Sequence, residues 1–448
     1  MTSGRRHWGL ALALALMAAA GLVWCAWVWR QSRVYDATIA EIKAEMAAGR
    51  HAIAARNLTE LIAHNPGSDE AAYLLGVCEQ TRGRNPAAAA AWARITPGSS
   101  FSSRAIDAHM SLLIAGGQFA AAEKLINDAA QAPRNEPTAL RILLLPLFVQ
   151  QGRLEEAQQL VEQRWQHLYE TGEEASELAI NLGRLHAELQ WTLTPVEDVR
   201  ASLDQAAKLA PDDDRIWLGR ANLAMRTGNY PEAEHWLDAC LKSRPDDVPV
   251  WRARLNWGMA TSRIDVVRQA LTQLPAREAS PAQIHRIAAW LAAKQGATAT
   301  EREALQRLVA SDPTDFRALD RLAELARQNL QPERAAEWTQ RRAEISRLQA
   351  RFRKLFDRNQ PIRDAAEMGH LAETLGNPFE ARVFLGVAVA ESLNRDAAKR
   401  SLHALNQHSI PLAQTTGTLA AVVAAQPSEH AKADGNRGPV ADGDQSKP

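Results

Sequence analysis

Residues 214–247 read DRIWLGRANLAMRTGNYPEAEHWLDACLKSRPDD. Trp217 stands early in one apolar-periodic stretch, Gly228 closes it, Ala233 lies inside a second stretch, and Pro245 follows that one. Each mark has a mechanical reason. Glycine accepts turn angles that a Cβ would resist. Alanine lets two helices approach closely, and proline cannot continue a helix and so ends it. Pro211 and Pro245 are 34 residues apart, so the stretch reads as one helical hairpin of fixed length.

The same frame can be laid along the chain. Gly49, Ala54 and Pro66 keep it first, followed by Leu75, Gly76, Gly83 and Ala88. Gly117, Ala122 and Ala129 mark a third repeat, and Gly152 with Ala157 a fourth. Leu182, Gly183, Ala206 and Pro211 mark a fifth, with extra residues around Trp191 to Pro195. Beyond the central repeat come Trp251 with Leu274, Gly296 with Pro313, Leu322 with Ala335, and finally Gly369, Gly376, Ala381 and Ala388. The repeat of Trp251 has Ser262 and Val267 where the turn glycine and the close-packing alanine are expected. About ten hairpins result, over roughly residues 36–395.

This 34-residue pattern resembles the tetratricopeptide repeat (TPR), and the chain as a whole resembles bacterial TPR proteins of the membrane-anchored type. The resemblance implies an all-α fold: a right-handed solenoid of antiparallel helix pairs, preceded by one transmembrane helix. It divides the chain into a basic N-terminus (1–7), a signal-anchor helix (8–29), the repeats (30–410) and a disordered tail (411–448). Within the tail only Leu419 to Ala425 has an apolar run, enough for a brief turn. Between Arg334 and Phe356 the helical pattern does not break, which predicts a long second helix, either a docking arm or a longer wall.

Composition agrees with an all-helical chain. Of 448 residues only 6% are aromatic, and Ala, Leu, Arg, Glu and Gln, all good helix formers, dominate. Lys plus Arg and Asp plus Glu balance at 52 each, so no global field recruits nucleic acid. The three cysteines, Cys25, Cys78 and Cys240, are too far apart for a Cys-x-x-Cys site, and the latter two read as small buried thiols.

No residue from Trp8 to Trp29 is a charged one, and helical residues over that span reach roughly 33 Å, enough for a hydrocarbon core of about 30 Å. Arg5 and Arg6 precede the span, Arg30 and Arg33 follow it, and Trp8, Trp24, Trp27 and Trp29 fit interfacial belts. A leader cleaved after Ala18-Ala19-Ala20 is the alternative, but it would leave an apolar Leu-Val-Trp-Cys terminus. Arg5, Arg6 and the amino terminus favour a cytoplasmic N-terminus, which places the repeats on the extracytoplasmic, periplasmic side.

No constellation for catalysis, cofactor binding or metal binding is present in the sequence, and the chain reads as a non-enzyme. In the TPR family the first helix of each repeat faces a concave groove. Carried over by position, the groove residues are Arg184, Arg215, Asn222, Arg226, Arg252, Asn256, Arg286 and Lys294, with Glu177 and Glu188 at one end. A basic, amide-bearing groove suits a carboxylate or an extended acidic peptide. Arg252 and Asn256 resemble two members of the carboxylate clamp of co-chaperone TPR domains. Asn181 and Ala253 depart from the rest of it, so chaperone-tail binding is not carried over. The expected function is a membrane-anchored scaffold or adaptor for protein partners, or alternatively a non-catalytic accessory subunit of a membrane-associated enzyme or transport system.

Overall fold

In a computed structural model that describes residues 29–30, 33–133, 135–172, 176–191, 194–391, 395–407 and 419–424, the marks of the repeat do the work their chemistry predicts. Gly49, Gly83, Gly117, Gly152, Gly228, Gly296 and Gly376 all adopt φ between +70° and +75° at hairpin turns. Ala54, Ala88, Ala122, Ala157, Ala233 and Ala381 are completely buried where two helices meet. Tryptophan and proline are coupled across repeats. The indole N–H of Trp217 donates to the Pro211 carbonyl (2.9 Å), and that of Trp251 to the Pro245 carbonyl (2.6 Å). These two repeats thereby fasten onto the end of the one before them.

The irregular repeat keeps its geometry by exchange of bulk. Ser262 takes the turn conformation at φ +62°. Val267 is fully buried in the alanine position, and Gly258 lies opposite it. A Cβ on Gly258 would stand 3.0 Å from Val267 Cγ2, so volume added on one helix is removed from its neighbour.

The chain divides into two compact units, residues 1–143 and 144–448. In the first, helices α1 (33–47), α2 (His51–His64), α3 (Asp69–Thr81), α4 (Asn85–Trp92), α5 (Ser102–Ala115), α6 (Phe119–Gln131) and α7 (Pro137–Arg141) pack successively. Ile39, Ile42, Leu58, Ile62 and Trp92 build much of its core. Cys78 is buried there and Cys240 in the second unit; burial pushes their thiols up to about 11 and about 12, with neighbouring carboxylates adding to the effect.

The second unit contains α8 (Leu145–Gln150), α9 (Leu154–Thr171), α10 (Ser176–Trp191), α11 (Val196–Leu209), α12 (Asp214–Thr227), α13 (Tyr230–Ser243), α14 (Val248–Ala260), α15 (Ile264–Gln273) and α16 (Pro281–Lys294). It continues with α17 (Thr298–Ser311), α18 (Phe316–Gln328), α19 (Pro332–Arg358), α20 (Pro361–Thr374), α21 (Pro378–Ala390), α22 (Arg395–Gln407) and α23 (Leu419–Ala424). From α12 to α21 the helices pair in order as hairpins. Aspartates start several of them: the side chains of Asp213, Asp247 and Asp315 accept backbone N–H groups in the first turns of α12, α14 and α18.

One expectation changes and two are narrowed. First, α10 and α11 do not pack as a hairpin. α11 lies on α8 and α12, whereas α10 packs on α9 and on the distant α21. Trp191, just before the extra residues, meets Phe352 and Phe356 edge to face, with centroids 5.5 and 5.1 Å away. Gly183 is the contact point with Val383. Second, α19 is long as expected, but its buried Ile345, Phe352, Leu355 and Phe356 make it a wall of this seam. Third, within the stretch 411–448 read as disordered, Leu419–Ala424 is a helix docked on α15 and α16. The apolar span at 8–29 lies, apart from Trp29, outside the described residues, and among those residues no helix is long and apolar enough to cross a membrane.

The seam also buries a histidine. His186 Nδ1 lies 2.7 Å from Glu380 of α21, and Nε2 lies 3.1 Å from Glu162 of α9. Burial alone would lower its pKa, but hydrogen bonds to the two carboxylates, with their charge, outweigh it and hold the imidazole up at about 9.

Two outcomes follow. A Cβ on Gly183 would sit 2.8 Å from Val383 Cγ1, so Gly183→Val should destabilise the chain by about 1–3 kcal/mol in urea titrations. Because the His186 pKa is raised on folding, its stabilisation is complete below about pH 6.5 and is lost as pH rises through about 9. Melting temperature should therefore fall between pH 6.5 and 9.5 in the unaltered chain, and His186→Gln should flatten that fall.

Candidate functional site

The first helices of the central repeats carry the residues expected to line a groove, and the structure gives most of them a partner within the fold. Arg215 is buried and donates two hydrogen bonds to Asp247, at 3.1 and 2.7 Å. Asp247 is also the cap of α14, so one carboxylate joins consecutive repeats. Arg286 lies between Asp312 (3.2 Å) and Asp315 (3.0 Å), where Asp315 caps α18. Arg252 reaches across to Glu156 (3.2 Å) and Glu155 (3.7 Å) at the start of α9. Arg184 donates to the Phe356 carbonyl (3.0 Å) and stands 3.9 Å over the Phe356 ring, bracing the seam.

The neutral and lysine positions are similar. Asn222 Nδ2 donates to the Gln151 carbonyl (2.9 Å), and Lys294 donates to Ser262 Oγ (2.8 Å) beside the Trp290 ring. Arg226 and Asn256 are exposed. A groove of available cations is therefore not what the fold presents. Asp247 and Asp315, at the starts of α14 and α18, neutralise arginines of the preceding repeat, and Glu155 and Glu156, at the start of α9, neutralise Arg252 of α14.

Three of the eight expected residues, Arg252, Asn256 and Arg286, do meet at one small cleft that is open to solvent. Its floor is apolar: Leu255, Met259, Leu274, Ala279 and Ile287, from α14, α16 and the segment after α15. Glu155 and Gln283 complete its polar edge. Gln283 is held by a capping box with Ser280 at the start of α16. Arg184, Arg215, Asn222, Arg226 and Lys294 do not line this cleft.

Leu419 of α23 reaches into the same cleft from its own side. It is 1% exposed, its backbone N–H donates to the Leu274 carbonyl (2.8 Å), and it joins Trp251, Leu255, Leu271, Leu274, Ile284 and Ile287 in one core. Val422 and Val423 pack on that core from outside. The signal for this helix was present in the sequence as an uncharged run within a polar tail. Its docking place was not, because the contact spans more than a hundred residues.

Two stretches match models of the tetratricopeptide repeat, residues 39–100 in the first unit and 196–255 in the second. No curated protein matches the chain. Among solved structures, one of the APC/C hetero-tetramer Cut9–Hcn1 is 12% identical, with 88% of this chain and 94% of that chain covered and a TM-score of 0.31. PilW, a widely conserved type IV pilus biogenesis factor, is 18% identical over 52% of this chain and 98% of its own, with a TM-score of 0.27. Yeast Tom70 is 10% identical over 83% of this chain and 95% of its own, with a TM-score of 0.23. The chain thus carries tetratricopeptide repeats in both of its units, and such repeats imply a scaffold for protein–protein interaction.

Proposed function

We propose that the chain is a membrane-anchored, non-catalytic scaffold. In this reading the Trp8–Trp29 segment holds it in a bilayer, the repeats stand on the extracytoplasmic side, and the cleft between α14 and α16 holds an apolar segment of a protein partner. One observation carries the choice of site: the cleft has a leucine- and isoleucine-lined floor, a polar edge, and a short apolar helix seated against it. That arrangement is the helix-in-groove mode of peptide recognition, in which buried side chains supply affinity and edge polar groups supply orientation.

An acidic ligand is not carried forward. The arginines that suggested it already hold Asp247, Asp312, Asp315, Glu155 and Glu156, and drawing them to a new carboxylate would leave those acids without their partners. Asn256 at the edge, exposed and on the same face, is free to meet the backbone of a bound segment.

Both halves of the reading are open to measurement in the full chain. A photo-crosslinker at Asn256 should capture a discrete protein in intact membranes, whereas one at the exposed Asp265 of α15 should not; equal capture at the two positions would remove the cleft from consideration. After alkaline extraction the chain should stay with the membrane pellet. Leu12→Arg with Leu16→Arg, each charge costing about 2.5–3.5 kcal/mol at a span centre, should release it. Release of the unaltered chain would remove the anchor.

A further inference from the structure

We propose that Leu419–Ala424 is an internal occupant of the partner cleft, a short uncharged helix that a partner segment of like chemistry must displace. The inference rests on the scaffold reading and deepens it, since it names both the partner's chemistry and the competitor. The occupant, Leu-Ala-Ala-Val-Val-Ala, has no charge and inserts its leucine into the core built by α14, α15 and α16.

Several features make α23 a removable element. It is six residues long, far below the length at which a helix holds in water without packing, so it exists as a helix only while docked. Leu419 alone among its residues is fully buried, and Ala421 and Ala424 face outward. The repeat beneath it is complete without it: α14 pairs with α15, and α16 with α17. The cost of ordering six backbone residues sets against the burial of one leucine and parts of its neighbours, terms of similar size.

The cleft also extends beyond what α23 fills. Open space remains beside Leu419, bounded by Met259, Asn256, Arg252 and Gln283. A partner side chain that reached this small space as well as the place of Leu419 would bury more of the apolar floor than α23 does. α23 is covalently tethered to the repeats it docks on, so it competes with a partner segment as an intramolecular ligand. Only partners that bind tightly enough to overcome that tether are retained.

A labelled peptide of residues 416–426 tests the inference on the full chain in detergent. It should bind the Leu419→Asp chain and bind the unaltered chain about tenfold more weakly or worse, the factor expected for losing competition from one buried leucine. Asn256→Trp, at an exposed position on the cleft's edge, should fill the cleft and suppress binding to the Leu419→Asp chain. Equal binding to the unaltered and Leu419→Asp chains, or none to either, overturns the proposal. Loss of cooperative unfolding in Leu419→Asp would make α23 an integral core element and overturn it as well. Crosslinking at Asn256 separates the two readings. Partner yield should rise in Leu419→Asp; an unchanged yield defeats the competitor while leaving the scaffold, whereas no partner in either chain defeats the scaffold and leaves the peptide result to judge the competitor.

Discussion

The contact of α10 with α19 and α21 governs the second unit. It joins residues 172 and 194 positions apart through the Arg184 and His186 hydrogen bonds, and its aromatic core of Trp191, Phe352, Phe356 and Phe384 is built from both sides. The hairpins from α12 to α21 therefore have to curve by the amount that brings α21 back to α10. The close approaches permitted by alanine and glycine, together with Trp-to-Pro and Arg-to-Asp links between some of the repeats, hold steps of that curve. Side chains that would otherwise offer charge to a ligand are used to fix the angle between neighbours.

The repeat frame was legible because its chemistry is local. A turn glycine, an alanine between two helices and a terminating proline each act within a few residues, and they recur at the same interval. Even the repeat with Ser262 and Val267 is readable afterwards from Gly258, nine residues before Val267 in the facing helix. What was not legible is whatever depends on residues far apart. Nothing in the pattern of α10 distinguishes it from a first helix paired with α11, and Gly183 fits the frame equally well while serving a contact with Val383.

The site was legible in part for the same reason. Positional carry-over found the surface residues of the first helices, and Arg252, Asn256 and Arg286 do meet at a cleft. It misjudged their availability as a group, because the acids that pair with them sit at the start of the next repeat or on α9. The apolar floor of Leu255, Met259 and Ile287 was hidden in plain helical periodicity, where such residues read as core.

Closure of the second unit has a consequence for copy number. In an open repeat array each repeat touches only its neighbours, so one can be gained or lost and the ends simply move apart. Here a hairpin added or deleted between α12 and α19 would carry α21 out of register with α10, expose Phe352 and Phe384, and strand Glu380 away from His186. The number of repeats in this stretch is thus set by geometry, whereas an exchange of volume within a repeat, as between Val267 and Gly258, leaves the closure intact.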